Sequence, residues 1–182
     1  VCSSAASDVY KRQQYIYENF GIYTMLNHSF GRYGLTINGA WVPVTDYSNP
    51  DTQKLLLSEV TKLAEEYKDT PGLLLFLLGN ENNYGLFWAG AETEDFPDEE
   101  DKRRAVGENR GRPMYKLMNK AVKAMKAIDP NHPMAICNGD ALFIDIIAEE
   151  CPDIDIYGVN AYRGISFTAV SYTHLTLPTS IQ

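Results

Sequence analysis

The sequence predicts an α/β fold in which parallel strands are joined by helical crossovers, and three observations predict it. Short apolar runs alternate with longer segments whose apolar residues recur at helical spacing. The run within Gly72–Leu78 is Leu-Leu-Leu-Phe-Leu-Leu without interruption, the pattern of a strand covered on both faces, as in parallel sheets. Links from helix to strand are brief, whereas two links from strand to helix are long.

The elements follow in order. Glu18-Asn19-Phe20 reads as a helix end and Gly21–Leu26 as the strand after it. Asn49-Pro50-Asp51 is a helix start, with an N-cap residue, a proline at the first position and an acid in the first turn. Leu56, Val60, Leu63, Ala64 and Tyr67 then form one apolar face. After the Gly72–Leu78 strand a second amphipathic helix runs from about Pro113 to Ile128, with Met114, Leu117, Met118, Ala121, Val122, Met125 and Ile128 on its face. Met134–Cys137 reads as a strand, Ala141–Glu149 as a short helix and Ile154–Val159 as the last strand. Parallel strands with right-handed crossovers bring equivalent strand ends together, so Asn27, Glu81, Asn138 and Asn160 should share one edge.

The brief links are Lys68–Pro71, Asp129–Pro133 and Glu150–Pro152, and the long ones are Asn27–Asn49 and Glu81–Arg112. Long connections without regular structure tend to be functional. Both leave the C-terminal ends of strands, where barrels and open α/β sheets keep their sites. The acidic stretch Glu92–Asp101 reads as a solvated loop surface.

Hydrophobic content of 45% and charged content of 22% are those of an ordinary globular protein. A net charge of -8 argues against nucleic acid, whose phosphates require basic patches. No apolar run approaches the roughly 20 residues needed to span a bilayer. Cys137 and Cys151 have no metal-like spacing and read as buried small hydrophobes. They do not specify a compartment, and no cofactor or metal is expected.

The two ends stand apart. Ser7–Gln13 back-translates to TCA GAT GTG TAT AAG AGA CAG, whose reverse complement, shifted by one base, encodes Ala169–Leu175. Extending the same pair of strands covers Ser3–Ala6 and Thr176–Thr179. The ends therefore look like opposite strands of one DNA adapter. Val1–Gln13 and Ala169–Gln182 are set aside as non-native tails, of which Ser3–Gln13 and Val170–Thr179 should make few contacts, and this leaves a domain over 14–168.

The strongest chemical signal is Leu78-Gly79-Asn80-Glu81-Asn82. A carboxylate directly after a wholly apolar strand sits at the rim of a low-dielectric interior, where burial raises its pKa toward what a general acid needs. The competing interpretation makes Glu81 simply the first exposed residue beyond a buried strand. Asn27 and His28 follow the first strand and could line a pocket, although a lone histidine is more often structural. Trp88, with Tyr84 and Phe87, offers aromatic faces beyond Glu81, or else anchors its own loop. Asn138 and Asp140 end the third strand, and Asp140 could equally cap the helix there.

Phe20-Gly21-Ile22-Tyr23, Tyr67-Lys68-Asp69-Thr70-Pro71-Gly72, Leu78-Gly79-Asn80-Glu81 and Asp155-Ile156-Tyr157-Gly158-Val159-Asn160-Ala161-Tyr162 resemble, in order, the catalytic (β/α)8 (TIM) barrel of glycoside hydrolase family 2. That family includes β-galactosidases, β-glucuronidases and β-mannosidases. The resemblance implies that the four strands are barrel strands three to six. It implies that Glu81 is the acid/base, that Asn80 hydrogen-bonds the sugar 2-hydroxyl, and that Asn160 and Tyr162 line the substrate site. Tyr162 would contact the nucleophile or, alternatively, pack at the rim. The implied partner is a carbohydrate.

One departure bears on activity. Retaining hydrolysis uses two carboxylates about 5–5.5 Å apart, and the family's nucleophile follows strand seven, beyond this chain. Asp145, Asp153 and Asp155 fall at helix or strand-start positions and offer no substitute. The resemblance therefore implies an inactive fragment of an active parent. The rival readings are a carbohydrate-binding barrel without catalysis and a transglycosidase of the same clan.

Overall fold

A computed structural model describes residues 12–87 and 99–160. Six strands are β1 (Thr24–His28), β2 (Leu35–Ile37), β3 (Ala40–Val42), β4 (Leu73–Asn80), β5 (Met134–Gly139) and β6 (Ile156–Asn160). The helices are α1 (12–20), α2 (Pro50–Tyr67), α3 (Glu100–Val106), α4 (Arg112–Ile128) and α5 (Ile144–Glu150). The main sheet is wholly parallel in the order β1-β4-β5-β6, as the alternation of runs and helical segments predicts.

Register separates two faces. On one lie Leu26, Phe76 and Met134, which are paired in sequence across the strands, together with Leu78 and Ile136. This face meets the apolar stripes of α2 (Leu56, Val60, Ala64, Tyr67) and α4 (Met114, Leu117, Met118, Ala121, Val122, Met125) in one buried cluster. Each of the leucines, methionines and valines contributes roughly 1.5–3 kcal/mol on burial, and the alanines less. On the other face lie Met25 beside Leu75, then Leu77 beside Ala135 beside Ile156, none of which belongs to that cluster. Met25 is 59% exposed and Ile156 40%. In a closed barrel this second face is the packed interior.

Several boundaries differ from expectation. Gly21 ends α1 at φ 65°, its N–H bonding to the Tyr17 carbonyl at 2.9 Å. Pairing with β4 starts only at Thr24, whose N–H meets the Gly72 carbonyl, so β1 begins three residues later than the apolar run. The connection 27–49 is not structureless. It carries the antiparallel hairpin β2–β3, turned by Asn38 and Gly39 with φ of 53° and 82°, the conformation for which Asn-Gly is favoured.

Pro113 stands in the first turn of α4, within one residue of the expected start. A π-turn over Gly107–Gly111 joins α3 to α4 ahead of it, and a widened turn accommodates the missing proline N–H. Of the acidic stretch, Glu99, Glu100 and Asp101 open α3 and the rest lies outside the described residues. α5 starts at Ile144 with Phe143 as its N-cap, so Asp140 is not the cap. Of the tails, only Arg12 and Gln13 are described. They open α1, and Gln13 is buried despite the expectation of few contacts.

Candidate active site

The C-terminal end of β4 turns sharply. The register slips between Leu77 and Asn80, Gly79 takes φ 85° and Glu81 takes φ 55°. A bulge of this kind re-aims the side chains that follow it. A left-handed non-glycine residue costs on the order of 1–3 kcal/mol and persists only where its surroundings over-determine it. Here they do. Glu81 N–H donates to the Cys137 carbonyl at 2.7 Å. Glu81 Oε1 accepts from Asn160 Nδ2 at 2.9 Å, and Oε2 faces Arg32 Nη2 at 3.3 Å. The Glu81 side chain is 14% exposed and that of Arg32 12%.

Asn160, at the end of β6, also donates from Nδ2 to Asn80 Oδ1 at 2.9 Å. Arg32 Nη1 donates to the Asn80 carbonyl at 2.6 Å, and its guanidinium lies 4.9 Å from the Tyr33 ring centre. Three strand ends and the loop after β1 thus converge on one carboxylate. Glu81 and Asn160 come together at the same edge, as parallel topology requires.

The two asparagines after Glu81 pin the turn from both sides. Asn82 Nδ2 donates to the Ser29 and Phe30 carbonyls at 2.9 and 3.2 Å. Asn83 is fully buried, donates to the Gly139 carbonyl at 2.6 Å and accepts from Gly139 N–H at 2.9 Å. Tyr84 lies against Gly139, where an added Cβ would come within 2.0 Å of its ring. Phe87 is buried and stacks on Phe143 at 5.9 Å. These aromatics anchor their loop. Trp88 and Tyr162 lie outside the described residues.

His28 is not brought to Glu81. It pairs across the register with Leu78 on the helix-covered face. Its Nδ1 accepts from Phe30 N–H, and its Nε2 lies 3.3 Å from Glu59 of α2. Burial lowers its pKa below the ordinary value, with Glu59 pulling the other way. Asn27 is exposed and in register with Leu77, on the open face. Asn138 reaches the same strand end but turns into the helical layer, where it bonds to Tyr115 Oη and the Leu142 carbonyl. Asp155 sits at the opposite end, taken by Lys126 and by Met134 N–H, and Asp153 is bonded to Asn119.

Sequence reasoning missed Arg32 and Cys137. The signal for Arg32 was an arginine within Gly31-Arg32-Tyr33-Gly34 in the loop after a strand, with Gly31 and Gly34 at positive φ. Cys137 is only half-buried, and burial followed by the charge of Glu81 raises its pKa. Among the described residues no cluster of His, Cys, Asp and Glu could hold a metal, and no helix is long and apolar enough to cross a membrane.

No protein-family model matches the chain, and no curated protein matches its sequence. Among solved structures, a polyextremophilic β-galactosidase from the Antarctic haloarchaeon Halorubrum lacusprofundi superposes with a TM-score of 0.54 at 10% identity, over 85% of this chain and 32% of that one. The fold is a partial (β/α)8 barrel. A β-galactosidase from Bacillus circulans sp. alkalophilus matches at a TM-score of 0.45 and 12% identity, over 84% of this chain and 29% of that one. The chain spans about a third of the length of these proteins.

Proposed function

We propose that this chain is the acid/base-bearing part of a retaining glycoside hydrolase that cleaves O-glycosidic bonds, of the family 2 kind. The observation that carries the reading is Glu81, held at the C-terminal end of β4 between Asn160 and Arg32. Barrel enzymes place catalytic groups at that end, and the barrel fold is shared with a β-galactosidase.

In the first step Glu81 protonates the departing glycosidic oxygen while a second carboxylate forms a glycosyl-enzyme intermediate. In the second step Glu81, now ionised, takes a proton from water. Both its oxygens accept a hydrogen bond in the present arrangement. Each oxygen keeps a second lone-pair site, from which a proton can pass to the leaving-group oxygen while Asn160 and Arg32 stay in place. The Asn80 carboxamide oxygen is engaged by Asn160 while its Nδ2 makes no hydrogen bond among the described residues. That leaves Asn80 as a donor for a sugar hydroxyl, with Asn27, Asn160, Trp88 and Tyr162 as further lining groups. His28, tied to Glu59, is proposed only as a support for the loop after β1. Asp153 and Asp155 occupy the opposite edge and are not candidates for the nucleophile.

The test is Glu81→Gln in the full-length protein. Glycosides with poor leaving groups should lose roughly 10²–10⁴-fold in rate. An activated aryl glycoside should lose far less in the glycosylation step, and azide should restore part of its turnover. Equal losses on both substrates with no azide effect would remove Glu81 from the acid/base role. Sugar binding without any turnover in the unmutated full-length protein would favour a carbohydrate-binding barrel.

A further inference from the structure

We propose that Cys137 is a positioning residue, its thiol holding the Asn160 carboxamide in the orientation that presents Nδ2 to both Asn80 and Glu81. The catalytic consequence rests on the acid/base reading of Glu81.

The sequence places a cysteine and an asparagine on adjacent parallel strands, two rungs apart on one face. Cys137 pairs with Gly158 and Asn160 with Gly139. Each therefore has a glycine as its direct neighbour, so no side chain stands between them on the diagonal. A Cβ at Gly158 would already come within 3.5 Å of the thiol sulfur. The thiol reaches Asn160 Oδ1 at 3.2 Å, while Nδ2 spends its two hydrogens on Asn80 Oδ1 and Glu81 Oε1, both at 2.9 Å.

A carboxamide has two orientations differing by a half-turn. In the other one, Oδ1 would face two acceptors and the NH2 group would face a thiol that donates well and accepts weakly. With the S–H donor in place, all three groups around Asn160 are satisfied in a single orientation. Without it, Oδ1 has no donor among the described residues. Such a role requires a protonated thiol, and burial together with the nearby Glu81 charge raises the Cys137 pKa. The same shift makes Cys137 a poor nucleophile, so a covalent role is not indicated. The backbone of this residue already serves the site, since its carbonyl accepts the Glu81 N–H. The thiol adds a second, side-chain route from β5 to the same carboxylate.

Two measurements test the proposal. The first is independent of catalysis. The Cys137 S–H stretch is isolated by subtracting the infrared spectrum of Cys137→Ala from that of the unmutated protein, which cancels the other cysteines. The band should lie at the lower frequency of a hydrogen-bonded thiol and move toward that of an unbonded thiol in Asn160→Leu. A band at the unbonded position, or one indifferent to Asn160→Leu, overturns the clamp.

The second is kinetic, in the full-length protein with a poor-leaving-group glycoside. Cys137→Ala should lower kcat by roughly two- to tenfold, the worth of one hydrogen bond, with KM little changed. Cys137→Ser retains a donor and should recover most of that loss. Equal kcat in the alanine variant and the unmutated protein, or a serine variant as slow as alanine, overturns the positioning role. A separate failure of Glu81→Gln to behave as an acid/base variant, with the S–H band still responding to Asn160, would remove the catalytic reading and leave the clamp.

Discussion

Asn83→Ala removes a side chain that behaves as an extra rung of the sheet. Asn83 is fully buried, and its carboxamide makes paired hydrogen bonds of 2.6 and 2.9 Å with the carbonyl and N–H of Gly139. Alanine fills part of the volume but can satisfy neither backbone group. A buried donor or acceptor left unpaired costs about 1–3 kcal/mol. Water entering the small space beside Tyr84 offsets some of that, so the expected loss is about 2–4 kcal/mol. Urea unfolding followed by circular dichroism measures it, as a lower midpoint at unchanged slope.

Asn83→Asp sharpens the attribution. An ionised carboxylate still accepts from Gly139 N–H but cannot donate to its carbonyl, and it buries a charge, so it should be at least as damaging. Asn82→Ala should cost less, because Asn82 only donates to its neighbours and its Oδ1 is unpartnered. If Asn83→Ala stayed within about 0.5 kcal/mol of the unmutated protein, the size of a neutral surface change, the paired bonds would not be holding the turn.

Three further outcomes are expected. Gly139→Ala should destabilise by about 1–3 kcal/mol, as overpacking does, because its Cβ would fall 2.0 Å from Tyr84 Cε2, and a Tyr84→Leu background should relieve part of the loss in the same unfolding assay. Asn49 caps α2 by accepting from the N–H groups of Asp51 and Thr52, so Asn49→Ala should lower stability by about 1 kcal/mol and Asn49→Gly by only a few tenths. His28 has a folded pKa lowered by burial from the ordinary 6.5. The unfolded chain therefore binds its proton first, so the stability from neutral His28 is present above 6.5 and lost as pH falls through the folded pKa. His28→Gln should flatten the pH dependence of the urea midpoint below 6.5, and an unchanged slope would refute the shift.

The alternation of an uninterrupted apolar run with helical periodicity was enough to determine four parallel strands, the helical stripes and the common strand edge that carries Asn27, Glu81, Asn138 and Asn160, although Asn138 turns into the helical layer. These features depend on local period and on the handedness of crossovers, which any stretch of sequence carries. Sequence reasoning missed the hairpin within the long 27–49 connection, although Asn38-Gly39 carries its own turn signal. The π-turn before Pro113 was not legible, because a proline marks a first turn as readily as a widened one inside a continuing helix.

Tertiary structure alone decided what surrounds the carboxylate. Which way His28 faces depends on strand register, and a shift by one residue exchanges the two faces of a sheet. Register turned His28 toward Glu59 and left Asn27 on the open side. Arg32 meets Glu81 across 49 positions of sequence, and Cys137 meets Asn160 across 23. No local pattern encodes such distances. The sequence singles out Glu81 as the candidate carboxylate, but the side chains that surround it are chosen by packing between segments that only the folded chain brings together.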